Sequence, residues 1–204
     1  MLRVAKRPTL FLSGAGIGYY GSRGDELLKE EAGPGVGFLA ESCQVWEKAI
    51  EEVAATGIRT AWFRIGIVLS TRGGALEKMM LPLKFFLGGY FGNGRQWFSW
   101  IHIDDVCRMF IHAIENSHVE GVYNAVAPHP ASNKSLTQAL AAALGRPAII
   151  LPAPAFALKL AMGEMSSVIL SSTKVASQKI TSTGFRHEFP VLISALKDLV
   201  NRRL

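Results

Sequence analysis

Apolar and amphipathic segments alternate along the first part of the chain. Thr9–Ser13 and Arg59–Leu69 are short apolar runs, which is typical of buried strands. Between them, apolar residues recur at spacings of four and three opposite a charged face, and this pattern predicts an amphipathic helix that Gly57 ends. Two strands joined in this way lie parallel, with a right-handed crossover. The apolar stripe consists of Leu39, Cys43, Trp46, Ile50 and Val53, and the polar face of Glu41, Glu47, Lys48, Glu51 and Glu52.

The alternation continues through the middle of the chain. Helical spacing interrupted by Pro82 is followed by Gly88-Gly89, which we expect to end that helix. Asp104 and Asp105 stand before a later helix, where carboxylates can cap free backbone N–H groups. The predicted elements are a helix over Ala75–Leu87, a strand over Trp97–Ile103, a helix over Val106–Glu115 and a strand over Val122–Val126.

Ala-rich helical sequence begins after Pro130. Ser135 and Gln138 have the spacing of a capping box, and Gly145 closes a predicted helix over Leu136–Leu144. A short strand is predicted over Ala148–Leu151, and the rest is predicted to be mainly helical. The last helix, over 191–200, turns Leu192, Ala195, Leu196 and Leu199 inward. We therefore divide the chain into a sheet-forming part, residues 1–130, and a small domain, residues 131–204.

Composition and the distribution of charge argue against nucleic-acid and membrane partners for this chain. The chain has 204 residues and is 49% hydrophobic, enough to bury a substantial core. A net charge of +6 would suit a nucleic acid, but Lys and Arg are scattered instead of gathered on one face among aromatic residues. Cys43 and Cys107 lie on apolar stripes, and we expect buried thiols in a reducing compartment. No apolar run reaches the roughly 18 residues that span a bilayer. The expected location is the cytoplasm or an organelle matrix, with no nucleic-acid or membrane partner.

The segment Gly16–Gly21 matches the pattern G-x-G-x-x-G after a predicted strand. In a dinucleotide-binding fingerprint a helix opens at once and directs its N–H groups at the pyrophosphate. Here Ser22–Asp25 continues the loop, and the next helix is predicted to start near Phe38. We therefore interpret the glycine-rich run as a loop with another role.

Five segments together resemble the extended short-chain dehydrogenase/reductase superfamily, and within it the atypical epimerase family group called cell-division-inhibitor-like. The resemblance runs from about Thr9 to the C-terminus. It implies an α/β fold: an incomplete Rossmann-type parallel sheet with flanking helices plus a small, mainly helical C-terminal substrate domain. The strand, glycine loop and adenosine-binding strands that relatives carry before Thr9 are not in the sequence. The segments are Ser13–Gly21, Phe38–Glu47, Arg64–Leu69, Gln96–Val106 and Gly121–Ala125.

The resemblance also implies the positions of two binding sites. The carboxyl ends of two strands would face the nicotinamide, and the start of a third would approach an anionic part of the substrate, for which a bidentate Arg is suited. Solvated loop residues and buried strand ends are the alternative interpretation of the same positions. The implied cofactor residues are Ser13, Gly14, Ala15, Ile67 and Val68, and the implied substrate residues are Arg95, Gln96, Trp97 and His102.

The catalytic Ser, Tyr and Lys of the superfamily are not found at the matching positions. Leu39 stands in the place of Tyr, Cys43 in that of Lys, and Ala15 or Gly16 in that of Ser. Tyr20 and His102 are weak substitutes, because the first is usually structural in this loop and the second is usually a hydrogen-bonded structural histidine. No His, Cys and carboxylate spacing indicates a metal.

Two functions follow from the resemblance. The first is an NAD(P)-dependent epimerase/dehydratase-like oxidoreductase that, in full-length form, acts on a sugar-nucleotide-like or small hydroxylated metabolite. The second is a non-catalytic binding or regulatory protein that kept the fold after losing the catalytic trio. The full-length family would bind NADP or NAD, and we expect this chain alone to bind it weakly or not at all. The open edge of the first strand leaves association through the sheet as an alternative.

Overall fold

The computed structural model describes residues 7–153, 160 and 170–202. The described strands are β1 (Leu10–Gly16), β2 (Leu27–Leu28), β3 (Arg59–Ile65), β4 (Ile67–Leu69), β5 (Leu87–Phe91), β6 (Trp97–Phe98), β7 (Trp100–His102), β8 (Gly121–Ala125), β9 (Ala131–Ser132), β10 (Ile149–Ala153) and β11 (Lys174–Val175). The described helices are α1 (Phe38–Ala54), α2 (Gly74–Leu83), α3 (Ile103–Glu115), α4 (Asn133–Ala143), α5 (Gln178–Ser182) and α6 (Leu192–Asn201).

A parallel sheet in the order β1-β3-β8 forms the centre of the fold. The register pairs Leu10 with Arg59 and Ala61 with Gly121. Within the described residues, no strand pairs with the other edge of β1. The predicted α/β fold with a Rossmann-type parallel sheet is confirmed.

The predicted strand Arg59–Leu69 is divided at Gly66. Gly66 N–H donates to the Ala125 carbonyl (3.1 Å), whereas Ile67 N–H donates to the Ser99 carbonyl (2.8 Å). The strand therefore leaves β8 and continues as β4 beside β7. A Cβ on Gly66 would overlap the Ser99 carbonyl oxygen and lie 2.8 Å from Val126 Cγ1. This change of partner requires glycine.

Helix α1 forms where the periodicity predicts it, but its buried face is rotated from the predicted stripe. Ala40, Glu47 and Ile50 are buried, whereas Trp46 is 57% exposed. The placement of Glu47 on the polar face was wrong, because an ion pair with a buried Arg compensates its desolvation. The Trp46 side chain instead faces solvent. Cys43 is half-buried, but Cys107 is exposed, so the prediction of two buried thiols was wrong for Cys107.

Two helix starts differ from their predicted caps. At α3 the His102 ring, not the Asp pair, accepts the Asp104 N–H. At α4 Ser132 accepts the Ser135 N–H, so the cap lies three residues before the predicted Ser135 box. Both true caps end a short strand, and an imidazole acceptor is not among the usual capping side chains. Gly88-Gly89 was also misassigned, since it lies inside β5, paired with β10.

One hydrophobic cluster joins the sheet-forming part to the C-terminal elements. Leu76 from α2 and Trp100 from β7 pack with Leu140 from α4 and Leu196 from α6. The predicted inward face of the last helix is confirmed for Ala195, Leu196 and Leu199. A second cluster lies between the sheet and α3, around Phe63 and Met109. The division at residue 130 stays a prediction, and part of the mainly helical sequence expected after Leu151, residues 154–159 and 161–169, lies outside the described residues.

We expect Gly66→Ala to lower the free energy of unfolding by about 3 kcal/mol, since the added methyl meets fixed backbone. Urea unfolding followed by circular dichroism measures the change. Gly33→Ala is the matched control, because Gly33 has open space around its Cβ position and is expected to be neutral or slightly stabilising. Equal effects of the two substitutions would contradict the close approach.

Candidate functional site

The predicted cofactor residues lie in two strands of different sheets, because β1 pairs with β3 and β4 pairs with β7. Ser13, Gly14 and Ala15 are half-buried in β1, and the Ser13 hydroxyl donates to the Gly14 carbonyl (3.3 Å). Ile67 and Val68 in β4 pack against the two hydrophobic clusters on either side of the sheet. These five positions stay a prediction as a nicotinamide site, with the open edge of β1 beside the first three.

The positions of the missing catalytic trio do converge on the end of β1. Cys43 Sγ lies 3.8 Å from the Cβ position of Gly16 and 3.6 Å from that of Gly18, and Leu39 Cβ lies 3.5 Å from the latter. The thiol is half-buried, and burial raises its pKa. Helix α1 thus presents an aliphatic side chain and a half-buried thiol to the end of β1.

Arg64 is the centre of a buried polar cluster beneath this site. Its guanidinium donates twice to the Glu47 carboxylate (2.7 Å each), once to Tyr20 Oη (2.9 Å) and once to the Glu30 carbonyl (3.1 Å). It also lies 3.6 Å from the centroid of the Tyr19 ring. Burial opposes the charged form of Arg64, but the Glu47 carboxylate and the Tyr20 hydroxyl together outweigh burial, so the pKa of Arg64 is raised.

Tyr20, a weak catalytic candidate, is fully buried in this cluster. Its hydroxyl donates to Asn124 Oδ1 (2.7 Å) while it accepts from Arg64. Burial raises the pKa of Tyr20 to about 12. Glu30 is also buried and accepts the Asn124 N–H (2.8 Å), and burial raises its pKa. The hydroxyl of Tyr20 is therefore committed to structural hydrogen bonds.

Sequence reasoning missed Arg64 and Asn124, and it placed Glu47 in solvent. The available signal was an Arg in the otherwise apolar strand Arg59–Ile65, together with the helical spacing Ala40, Glu47, Ile50. A charge at a core position of a strand requires an opposite charge on the helix that covers it.

His102 joins the start of α3 to α6. Its Nδ1 accepts the Asp104 N–H (3.1 Å), so the proton lies on Nε2, which donates to Asp198 Oδ2 (3.2 Å). The ring is fully buried and stacks on Phe189 at 3.9 Å. Burial lowers the pKa of His102. Arg202 binds both Asp104 (2.6 Å) and Asp198 (2.7 Å). This arrangement agrees with the structural interpretation of the histidine.

An open cleft of about 380 Å³ lies beside the loop between β5 and β6. Arg95 and Gln96, two of the predicted substrate residues, line it together with Asp25 and Ser172. Trp97 does not line the cleft, but its indole N–H donates to Asp25, which does, and its ring lies 4.4 Å from Lys174 Nζ. His102 does not line the cleft, so the structure brings together only part of the predicted substrate set.

The cleft wall is fixed to the start of α4. Asn133 Oδ1 accepts the Phe91 N–H (2.6 Å), and the Asn133 N–H donates to the Gln96 carbonyl (3.0 Å). Lys134 N–H donates to the Gly94 carbonyl (3.0 Å). Within the described residues the Arg95 guanidinium has no hydrogen-bond or ion-pair partner, although its backbone N–H is held by Asn93 Oδ1 (2.9 Å). A rigid loop thus presents a free cation to the cleft.

The glycine-rich run has the geometry of a loop. Ile17–Tyr20 form one 3₁₀ turn, Gly21 has φ 64°, and the next α-helix starts at Phe38. No α-helix N-terminus follows Gly21 directly, so the interpretation against a dinucleotide fingerprint is supported.

Among the described residues, no group of three His, Cys, Asp or Glu side chains has the arrangement of a metal site.

A parallel sheet whose first crossover helix faces a strand-end site defines the Rossmann-type, extended short-chain dehydrogenase/reductase class. Comparison with known sequences and structures agrees. The NAD dependent epimerase/dehydratase family matches residues 47–125, and a domain of unknown function, DUF1731, matches residues 153–199. The chain belongs to the epimerase family that includes the SDR39U1 proteins.

The relatives cover nearly all of the chain. It is 38% identical to epimerase family protein SDR39U1 of Mus musculus, over 96% of the chain and 67% of that protein. It is 36% identical to epimerase family protein YfhF of Bacillus subtilis (97% and 65%) and 38% identical to a chloroplastic SDR39U1 homolog of Arabidopsis thaliana (95% and 55%). The chain thus spans between 55 and 67% of the length of these relatives.

Solved structures show the same fold. The structure of human epimerase family protein SDR39U1 with NADPH has a TM-score of 0.87 at 33% identity, covering 98% of this chain and 68% of that one. A Thermus thermophilus UDP-glucose 4-epimerase in complex with NAD has a TM-score of 0.72 at 17% identity, over 96% and 65% of the two chains.

Across residues 7–153 and 170–202, no helix has both the length and the apolar character to cross a membrane.

We expect Glu47→Ala to lower the free energy of unfolding by about 3–5 kcal/mol, because it leaves the Arg64 charge buried without its carboxylate. Chemical denaturation measures the loss. Glu52→Ala, on the exposed side of the same helix, is the control and is expected to change stability by less than about 0.5 kcal/mol. A loss no larger than that of the control would refute the central role of the pair.

We expect stability to fall on acidification through the ordinary His range, since burial lowers the pKa of both His102 and His187. The unfolded chain then binds protons more readily than the folded one, so stability is fully present above about pH 6.5 and is lost as pH falls toward the folded pKa. The raised pKa of Glu30 has the opposite sign and acts nearer its ordinary value of 4.5.

His102→Asn retains a capping acceptor and removes the titrating ring, so it should flatten the pH dependence of the unfolding midpoint. His129→Asn, which changes an exposed imidazole, is the control. An unchanged slope in His102→Asn would show that the ring does not contribute.

Proposed function

We propose that this chain forms the substrate-facing part of an NAD(P)-dependent epimerase/dehydratase-family protein that acts on a sugar-nucleotide-like or small hydroxylated metabolite. The observation that carries the proposal is the cleft with the free guanidinium of Arg95 on a rigid loop. A planar cation with no partner among the described residues is suited to bidentate binding of a phosphate or carboxylate.

The strand-end residues fit one end of a dinucleotide. Ser13, Gly14 and Ala15 leave partly exposed backbone beside an open strand edge, and Gly14 has only Ile65 Cδ1 near its Cβ position (3.2 Å). NAD(P), when bound, supplies the capacity for hydride transfer. We propose NADP as the cofactor of the whole protein, supported by the NADPH in the human relative's structure. The chain's own residues would orient the ring and exclude water.

A second candidate function is favoured by the residues at the catalytic positions. Leu39 cannot exchange a proton, the pKa of Cys43 is raised, and the hydroxyl of Tyr20 is held by Arg64 and Asn124. A protein with these groups could bind cofactor and metabolite without turnover and act as a sensor. The binding role of Arg95 is common to both candidates.

The test combines binding and turnover. We expect Arg95→Ala to weaken the binding of a sugar nucleotide such as UDP-glucose, measured by calorimetry, by about tenfold or more, because a charge-assisted pair is lost. Arg72→Ala, which removes another exposed loop guanidinium outside the cleft, should leave binding unchanged. Equal affinities for all three proteins would overturn the assignment of the cleft.

Incubation with NADP+ and a sugar-nucleotide panel separates the two candidates. Formation of NADPH from the oxidised sugar, or an epimerised or dehydrated product detected by chromatography, supports the oxidoreductase. Binding of both ligands with neither NADPH nor a new product, unchanged in Tyr20→Phe, supports the sensor. Tyr20→Phe removes only the hydroxyl. The melting temperature of this variant shows whether that hydroxyl stabilises the fold.

A further inference from the structure

An exposed apolar surface lies on the side of the fold formed by α2, β5 and β10. Phe85 and Phe86 are 71% and 51% exposed just after α2, and Phe86 has a left-handed backbone (φ 60°), which is rare for a residue with a large side chain. Exposed aromatic residues within a contiguous apolar surface are typical of interaction sites. We call this surface the Phe85 patch; its apolar members are Leu81, Phe85, Phe86, Leu87, Ile149 and Leu151.

Backbone pairing joins the strand residues of the patch. The Ile149 N–H donates to the Phe86 carbonyl (2.9 Å), and β5 pairs with β10 so that Leu87 lies beside Ile149 and Gly89 beside Leu151. Leu81 lies in the last turn of α2, and Phe85 follows two residues after the helix ends. The inner face of the same strands is occupied, because the Cβ position of Gly88 meets Leu83, Ile150 and Thr137. Only the outer face is available to a partner.

The charged residues next to the patch are mostly cations. Lys78 lies on α2, Lys84 directly after it, and Arg146 in the connection before β10. All three side chains are exposed. The Arg146 guanidinium donates to the Lys84 carbonyl (2.8 Å) and lies 5.5 Å from the Phe86 ring centroid. Within the described residues, none of these three cations forms an ion pair. Glu77, the acidic residue of α2, is already engaged in an interaction.

We propose that the Phe85 patch is a peripheral docking surface for a membrane rich in anionic lipid. Aromatic and aliphatic side chains can enter the interfacial region, while the surrounding cations attract the headgroups. A second copy of the chain is a poorer occupant, since a symmetric contact would bring Lys78, Lys84 and Arg146 of both copies together.

The Phe85 patch would bind to the surface of a membrane and would not span it. The absence of a spanning apolar run, on which the expectation of no membrane partner was based, does not bear on a surface patch. The patch is also separate from the cleft and from the strand-end site, so its test does not depend on the proposed function.

The test is sedimentation of the purified chain with vesicles of phosphatidylcholine, alone or mixed with phosphatidylglycerol. We expect at least about tenfold stronger partitioning onto the anionic vesicles, reduced by added salt. Phe85→Ser and Lys84→Glu should each reduce the anionic partitioning by about tenfold, since one removes an inserted ring and the other reverses a charge.

Matched controls lie on α1. Phe38 is 82% exposed beside Glu41, and Lys48 is exposed on the same helix, so Phe38→Ser and Lys48→Glu make the same chemical changes on another surface. Circular dichroism and the melting temperature check that each variant folds.

Equal partitioning onto neutral and anionic vesicles, or equal losses in the α1 controls, would overturn the proposal. Sedimentation velocity addresses the other occupant. A dimer that Phe85→Ser dissociates, without binding to vesicles, would assign the patch to self-association instead.

Discussion

The buried pair of Arg64 and Glu47 is the interaction on which the arrangement of the sheet-forming part depends. A guanidinium in the middle strand of a parallel sheet must have its donors satisfied, because unpaired buried charge is very unfavourable. Glu47 fixes the rotation of α1, the Glu30 carbonyl holds the long connection after β1, and Tyr20 holds the 3₁₀ turn. One cation thereby sets the positions of three separate segments around the end of β1.

The same cluster explains why the Tyr20 hydroxyl is not available for acid–base chemistry. The groups that could titrate are held in hydrogen bonds that define structure, and burial keeps the Tyr20 hydroxyl protonated. His102 has an equivalent role on the other side of the fold, where it fixes α3 against α6. Buried polar networks of this kind specify one arrangement of the elements.

The sequence predicted the elements that bury apolar residues at regular spacing. The strands around Phe11 and Trp62, the helix around Ile50 and the inward face of the last helix all follow from apolar spacing. What could not be predicted depends on distant partners. Glu47 has the spacing of a core residue but the charge of a surface residue, and only Arg64, 17 positions away, resolves the conflict. The caps by His102 and Ser132 were missed because local helix patterns do not show which strand precedes them.

The cleft shows the same limit. Arg95 and Gln96 were identified through a family resemblance, but their neighbours Asp25 and Ser172 come from segments far along the chain. The change of partner at Gly66 has a mechanical consequence for this region. One half of the divided strand is bonded to the block that contains Arg64, and the other half to the segment that leads back to the cleft. The Ala127 N–H also donates to the Trp100 carbonyl (2.7 Å), so the two halves are linked on both sides of the junction at Gly66, and a displacement of the segment that leads to the cleft is transmitted to the central sheet.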